Sequence, residues 1–182
     1  MGSSIVIGID PGSSGAIGFL SLDGETAWTV RLSKLTDQEL AKELISHKDD
    51  IVRAYLENVH STPMAGVKAS FTFGQAFGRI QGMLAALEIP VERITAGAWR
   101  KGVGLATMKG GLTSRLERKK QAKARSQAMF PKVKITNEDG DCLLIAEYGR
   151  RQMVGNATWT TDPAGQPQLD ALLGAIGLSN RP

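Results

Sequence analysis

Five acids stand where segments of this chain end or begin. Asp10 closes the apolar run Ile5-Val6-Ile7-Gly8-Ile9. Glu57 closes a second run, Ile51-Val52-Arg53-Ala54-Tyr55-Leu56. Glu138, Asp139 and Asp141 open a third apolar stretch, Cys142-Leu143-Leu144-Ile145. A carboxylate at the end of a buried strand is costly unless it is paired or bound to a metal. Carboxylates that converge repel one another and are tolerated with divalent cations between them. Oxygen-only donors favour Mg²⁺ or Mn²⁺ over zinc. Two such ions about 4 Å apart activate a water and stabilise the leaving oxygen in phosphodiester hydrolysis. The plainer reading of Asp10 is a residue that starts the Pro11-Gly12 turn.

The late acids are not equivalent. Glu138 and Asp141 are three apart and share a helix face once that turn is formed. Asp139 lies about 200° around a helix from Asp141, at 3.6 residues per turn, and points away. It can cap the helix instead. Glu138 is the preferred additional metal ligand, with Asp139 the alternative.

Charge is unevenly distributed. Between Arg93 and Arg125 there are ten Lys or Arg and one acid, Glu117, so that segment is +9. The whole chain is +4, so the remainder nets −5. A basic block beside an acidic remainder suits a polyanion surface such as DNA. Its competitor is a solvated helix face. Lys109, Arg115, Arg118, Lys120 and Lys123 are the candidate DNA-binding cations.

Other chemistries find little support. There is no G-x-x-x-x-G-K-[ST] loop for ATP. Gly12-Ser13-Ser14-Gly15 is similar to the phosphate turn of actin-like ATPases, but 182 residues is short for their duplicated domain. One Cys and two His give neither a zinc cluster nor an obvious triad. The single Cys142 fits a reducing compartment. No run of 18 apolar residues is present, and the N-terminus lacks a signal-peptide pattern. The expected location is the cytoplasm, with a bacterial, phage or organellar setting.

The elements that must position these residues follow from periodicity. Residues 5–10 and 15–21 read as a strand pair, and Thr26–Leu32 as a third strand. Asp37–His47 has helical spacing, with Thr36 and Glu39 in capping-box positions. Asp50–Val59 reads as a central strand. Residues 61–74 read as a loop, Gln75–Leu87 as a helix and Val91–Thr95 as a strand. Gly74, Gly78 and Gly82 line one face of that helix and allow close approach in the core or across a dimer. Trp99–Gly111 reads as a Gly-rich connection, Leu112–Met129 as a basic helix stopped by Phe130-Pro131, and Asp139–Arg150 as the last helix. Residues 1–155 form the expected nuclease domain. Residues 156–182 form a tail in which Leu169–Leu178 could be a short helix.

In order and spacing, these segments resemble the RuvC-type Holliday-junction resolvases of the RNase H-like superfamily, the phage and chloroplast variants above all. Ile7-Gly8-Ile9-Asp10-Pro11-Gly12 resembles the first motif of that family, and Tyr55-Leu56-Glu57 the second. Phe73-Gly74-Gln75-Ala76-Phe77-Gly78-Arg79-Ile80-Gln81-Gly82, then Ile89-Pro90-Val91 and Trp99-Arg100-Lys101, are similar to its central block. Asp141-Cys142-Leu143-Leu144-Ile145-Ala146 resembles its C-terminal motif, with Gly140 and Cys142 in place of the usual Ala neighbours. The match spans roughly residues 4–151.

The resemblance implies an α/β fold: a mixed five-stranded sheet with helices on both faces. It implies a homodimer that makes Mg²⁺-dependent symmetric nicks in four-way junctions. Asp10, Glu57 and Asp141 match the metal-binding acids. A Lys before the Phe-Pro stop approaches the scissile phosphate in this family, and counting back points to Lys119. Loop aromatics wedge into the junction centre, which puts Phe71, and less strongly Phe73, forward as junction contacts. The alternatives are another RNase H-like nuclease or a non-catalytic junction-binding protein.

Overall fold

The structure, a computed structural model, describes residues 4–12, 14–58, 66–105 and 114–154. Five strands form one sheet. They are β1 (Ile5–Asp10), β2 (Ala16–Ser21), β3 (Ala27–Arg31), β4 (Ile51–Glu57) and β5 (Val91–Ile94), in spatial order β3-β2-β1-β4-β5. The first three run antiparallel, and β4 and β5 run parallel to β1. Among the described residues five α-helices cover the sheet: α1 (Asp37–Ser46), α2 (Val67–Ala86), α3 (Ala96–Gly102), α4 (Arg115–Met129) and α5 (Gly140–Val154). This is the mixed sheet the sequence predicts.

Strand alternation decides which helices meet which face. Ile5, Ile7 and Ile9 point to one side, where Leu40 and Leu44 of α1 and Ile80 and Leu84 of α2 close the core. Val6 of β1 and Tyr55 of β4 point to the other side, against Trp99, Ala122, Leu144 and Ile145 of α3, α4 and α5. Parity therefore sends Asp10 to the second face with Val6, and Glu57 there with Tyr55. Gly8 and Gly18 make this face unusually flat. A Cβ on either would overlap the backbone of α5, at Ala146 and Cys142 respectively. Without them α5 could not lie against β1 and β2, and its first residues could not reach the end of β1.

Three sequence expectations need correction. Residues 67–74 are helical, not loop: α2 begins at Val67, eight residues before Gln75. The Gly-rich connection contains a helix, α3, whose N-cap Thr95 accepts a hydrogen bond from the Ala98 amide. The last helix opens at Gly140 and runs on to Val154. The capping box at Thr36 and Glu39 forms as read, with both reciprocal bonds present. The proposed tail, residues 156–182, lies outside the described residues, as do Lys109, His60 and Trp159.

Candidate active site

Parallel pairing of β1 and β4 aligns Ile9 with Leu56, so Asp10 and Glu57 leave the sheet side by side at its carboxyl edge. Open α/β sheets bind ligands at that edge. The N-terminus of α5 brings Asp141 to the same place. Glu57 is pushed up to about 7 by burial first and then by the charge of Asp10. Burial also raises Asp141, with Asp10 adding to the effect and Lys119 opposing it. The three carboxylates are thus close enough to feel one another in a poorly solvated pocket.

Lys119 on α4 reaches into this group. Its Nζ donates to Asp10 Oδ2 at 3.1 Å and to Asp141 Oδ2 at 2.5 Å. Burial works against its ammonium, but the charges of Asp10 and Asp141 outweigh that and raise its pKa. Asp10 also serves its turn: its Oδ1 accepts weakly from the Gly12 amide at 3.3 Å. Asp10 thus accepts from its own turn through Oδ1 and from the Lys119 ammonium through Oδ2.

Among the described residues, no three His, Cys, Asp or Glu side chains stand close enough as they are to hold one ion jointly. The ammonium of Lys119 lies where Asp10 and Asp141 would otherwise share a cation. Asp141 nevertheless keeps an open donor. Its Oδ1 is buried and accepts no hydrogen bond, although Asp141 is only 8% exposed. A buried, unsatisfied carboxylate oxygen costs free energy unless something binds it. Oxygen donors of this kind fit a hard divalent cation.

Asp139 and Glu138 go elsewhere. Asp139 is buried and takes a two-pronged bond from Arg31, at 2.9 and 3.0 Å, together with the Thr136 amide and hydroxyl. Its oxygens are committed to pinning β3 against the entry to α5, which accounts for its lowered pKa despite burial. Asp139 therefore anchors β3 to the entry of α5, and both of its oxygens are engaged by Arg31 and Thr136. Glu138 is more exposed and sits 3.7 Å from the same guanidinium.

Sequence reasoning missed Trp99 and Arg100. The indole Nε1 of Trp99 donates to Glu57 Oε1 at 3.1 Å. Arg100 stacks on the Trp99 ring, donates to Gln121 of α4 and has a buried Nε without a partner. Trp99 follows β5, the neighbour of the strand that carries Glu57, so chain order held the signal. Cys142 takes no part. Burial pushes its thiol up, and its Sγ donates to the Asp139 carbonyl.

No family model matches the sequence, and no curated protein matches it. Solved structures do. Thermus thermophilus RuvC in complex with a Holliday junction substrate superposes with a TM-score of 0.56 at 13% identity, over 84% of this chain and 96% of that one. A second structure of Thermus thermophilus RuvC gives 0.53 at 14%, over 81% and 95%. The chain has a RuvC-like, RNase H-like fold.

On this RuvC-like fold the candidate DNA contacts fall on two helices. Arg115, Lys120 and Lys123 are exposed on α4, and Arg118 is half-buried beside Lys119. Phe71 and Phe73 are both on α2 and not in a loop. At 100° per residue they point about 200° apart. Phe71 is 65% exposed, whereas Phe73 is half-buried with its ring beside Phe77. Val67, Phe71, Gly74, Gly78 and Gly82 share one stripe about 80° wide. A Cβ added to any of the three glycines would meet nothing within 4 Å, so the stripe does not pack on the sheet.

Proposed function

We propose that this protein is a metal-dependent, structure-selective endonuclease that resolves four-way DNA junctions by paired nicks. The observation that carries the reading is the meeting of Asp10, Glu57 and Asp141 beside Lys119 on one sheet edge, with Asp141 Oδ1 left without a donor. These three acids would hold the metal. Two Mg²⁺ or Mn²⁺ ions held there would supply an activated water and neutralise the leaving oxygen. Glu138, half-buried and only loosely paired, is the further acid able to join them.

Lys119 then has a second partner. Once its carboxylates are engaged, its ammonium is free to meet the scissile phosphate and stabilise charge developing on it. The low-dielectric pocket that raises Glu57 and Asp141 strengthens that contact. Arg115, Arg118, Lys120 and Lys123 on α4, with Lys109 before it, hold the phosphate backbone on either side. Phe71 stacks on an unpaired base at the junction centre, a contact worth about 1–3 kcal/mol. The α2 stripe takes a second copy of the chain in a two-fold dimer, which sets two sites against opposed strands.

The test is a panel of end-labelled substrates: four-way junction, linear duplex and RNA–DNA hybrid, with Mg²⁺ or with EDTA. The reading expects symmetric nicks in the junction alone, and only with Mg²⁺. Cleavage of the hybrid in preference would favour another RNase H-like nuclease. Tight junction binding with no cleavage in Mg²⁺ would favour a binding protein.

A further inference from the structure

The hydrogen bond from Trp99 to Glu57 joins two residues 42 positions apart. It is unusual in its setting. Glu57 is half-buried, and burial and Asp10 both drive its carboxyl toward the neutral form. The indole N–H is the contact from α3 that opposes them. Trp99 itself is 1% exposed and packs with Tyr55, Ile94, Val103 and Leu144. Arg100 lies 5.3 Å over its ring and ties α3 to α4 through Gln121. An indole offers one donor and no acceptor, so it can bond Glu57 in one orientation only.

We propose that Trp99 is a positioning residue for metal binding: its N–H fixes Oε1 of Glu57 and so aims the other oxygen at the ion site. The proposal rests on the reading of Glu57 as a metal ligand. Groups that bond a ligand from outside orient it and raise its affinity, and their loss typically costs about 10–100-fold in metal affinity or activity. Here the group is a tryptophan held rigidly in the core, so the aim of Glu57 is set before any ion arrives. The Thr95 cap and the β5 strand deliver that ring to the sheet edge.

The test must separate the N–H from the packing. Trp99→Phe removes both the donor and part of the ring. A second protein keeps the shape: in a Trp28→Phe, Trp159→Phe background, β-(3-benzothienyl)alanine at position 99 replaces the N–H by sulfur in a near-isosteric ring. Mn²⁺ binding is measured by calorimetry without DNA, beside thermal unfolding in EDTA, junction affinity in EDTA, and the split of kcat and KM. The proposal expects the benzothienyl protein to keep its unfolding temperature, junction affinity and KM within error. Its Mn²⁺ affinity falls at least tenfold, its kcat falls with it, and excess Mn²⁺ restores part of the rate. Unchanged Mn²⁺ affinity in the benzothienyl protein overturns the proposal and leaves Trp99 a packing residue. Glu57→Gln is the control for the underlying reading. If it binds Mn²⁺ as tightly as the unaltered chain, Glu57 is not a ligand and the metal assignment itself fails.

Discussion

Lys119 Nζ lies 2.5 Å from Asp141 Oδ2, which joins the basic helix α4 to the acid that opens α5. The same ammonium reaches Asp10. Without metal, one cation thus balances two of the three site acids. Lys119→Ala removes a competitor for those oxygens and also a contact for the phosphate. Its Mn²⁺ affinity should rise, while single-turnover cleavage falls on the order of 10²-fold. Calorimetry and rapid-quench kinetics read the two effects separately. Cleavage at the unaltered rate would remove Lys119 from the reaction.

Glu57 predicts a pH dependence. Its folded pKa, about 7, stands above the ordinary value of 4.5. Between those values the folded protein binds more protons at this group than the unfolded chain does. Stability of the metal-free protein therefore falls as pH rises from about 4.5 to 7, and the loss is complete above 7. Glu57→Gln removes this dependence. In EDTA its melting temperature should exceed that of the unaltered protein by more at pH 8 than at pH 5. An equal difference at both pH values would contradict the burial argument.

Salt dependence tests the basic helix. Each phosphate contact releases condensed counterions, so neutralising a contacting residue lowers the salt slope of junction affinity by about one. Arg115→Ala, Lys120→Ala and Lys123→Ala should each do so, with the same proportional loss for every DNA sequence. A variant with an unchanged slope marks a residue that merely faces solvent.

The open glycine stripe of α2 makes a prediction of opposite sign for stability and assembly. A Cβ added at Gly78 meets nothing within 4 Å, and Gly78→Leu replaces a poor helix former. The monomer should fold at least as stably as before. If the stripe seats a second copy, sedimentation should show monomer where the unaltered chain is dimeric, and paired nicking should become single nicking. A variant that stays dimeric moves the interface to another surface.

Much of this site was legible because its acids sit at element boundaries. Asp10 and Glu57 end apolar runs of strand length, and parity alone sends both to the α5 face. Asp141 opens a helix whose buried run is plain in the sequence. Lys119 came from the family spacing. The rest depends on distant contacts. Asp139 looks like a ligand locally, and only Arg31, 108 residues earlier, explains why its oxygens are taken. Residues 61–74 read as a loop, whereas α2 begins after Gly66 without a side-chain cap and carries Phe71. Trp99 is buried, and its N–H becomes informative only when β4 and β5 are paired.

The most direct measurement is single-turnover cleavage of a labelled four-way junction in Mg²⁺ by Asp10→Asn, Glu57→Gln and Asp141→Asn, beside junction affinity in EDTA. The account predicts that each variant binds the junction as well as or better than the unaltered protein, since repulsion from the phosphates falls. It predicts that each cuts more slowly by several orders of magnitude. Near-normal cutting by any one of the three would contradict the assignment of that acid, and near-normal cutting by all three would place the reaction elsewhere on the molecule.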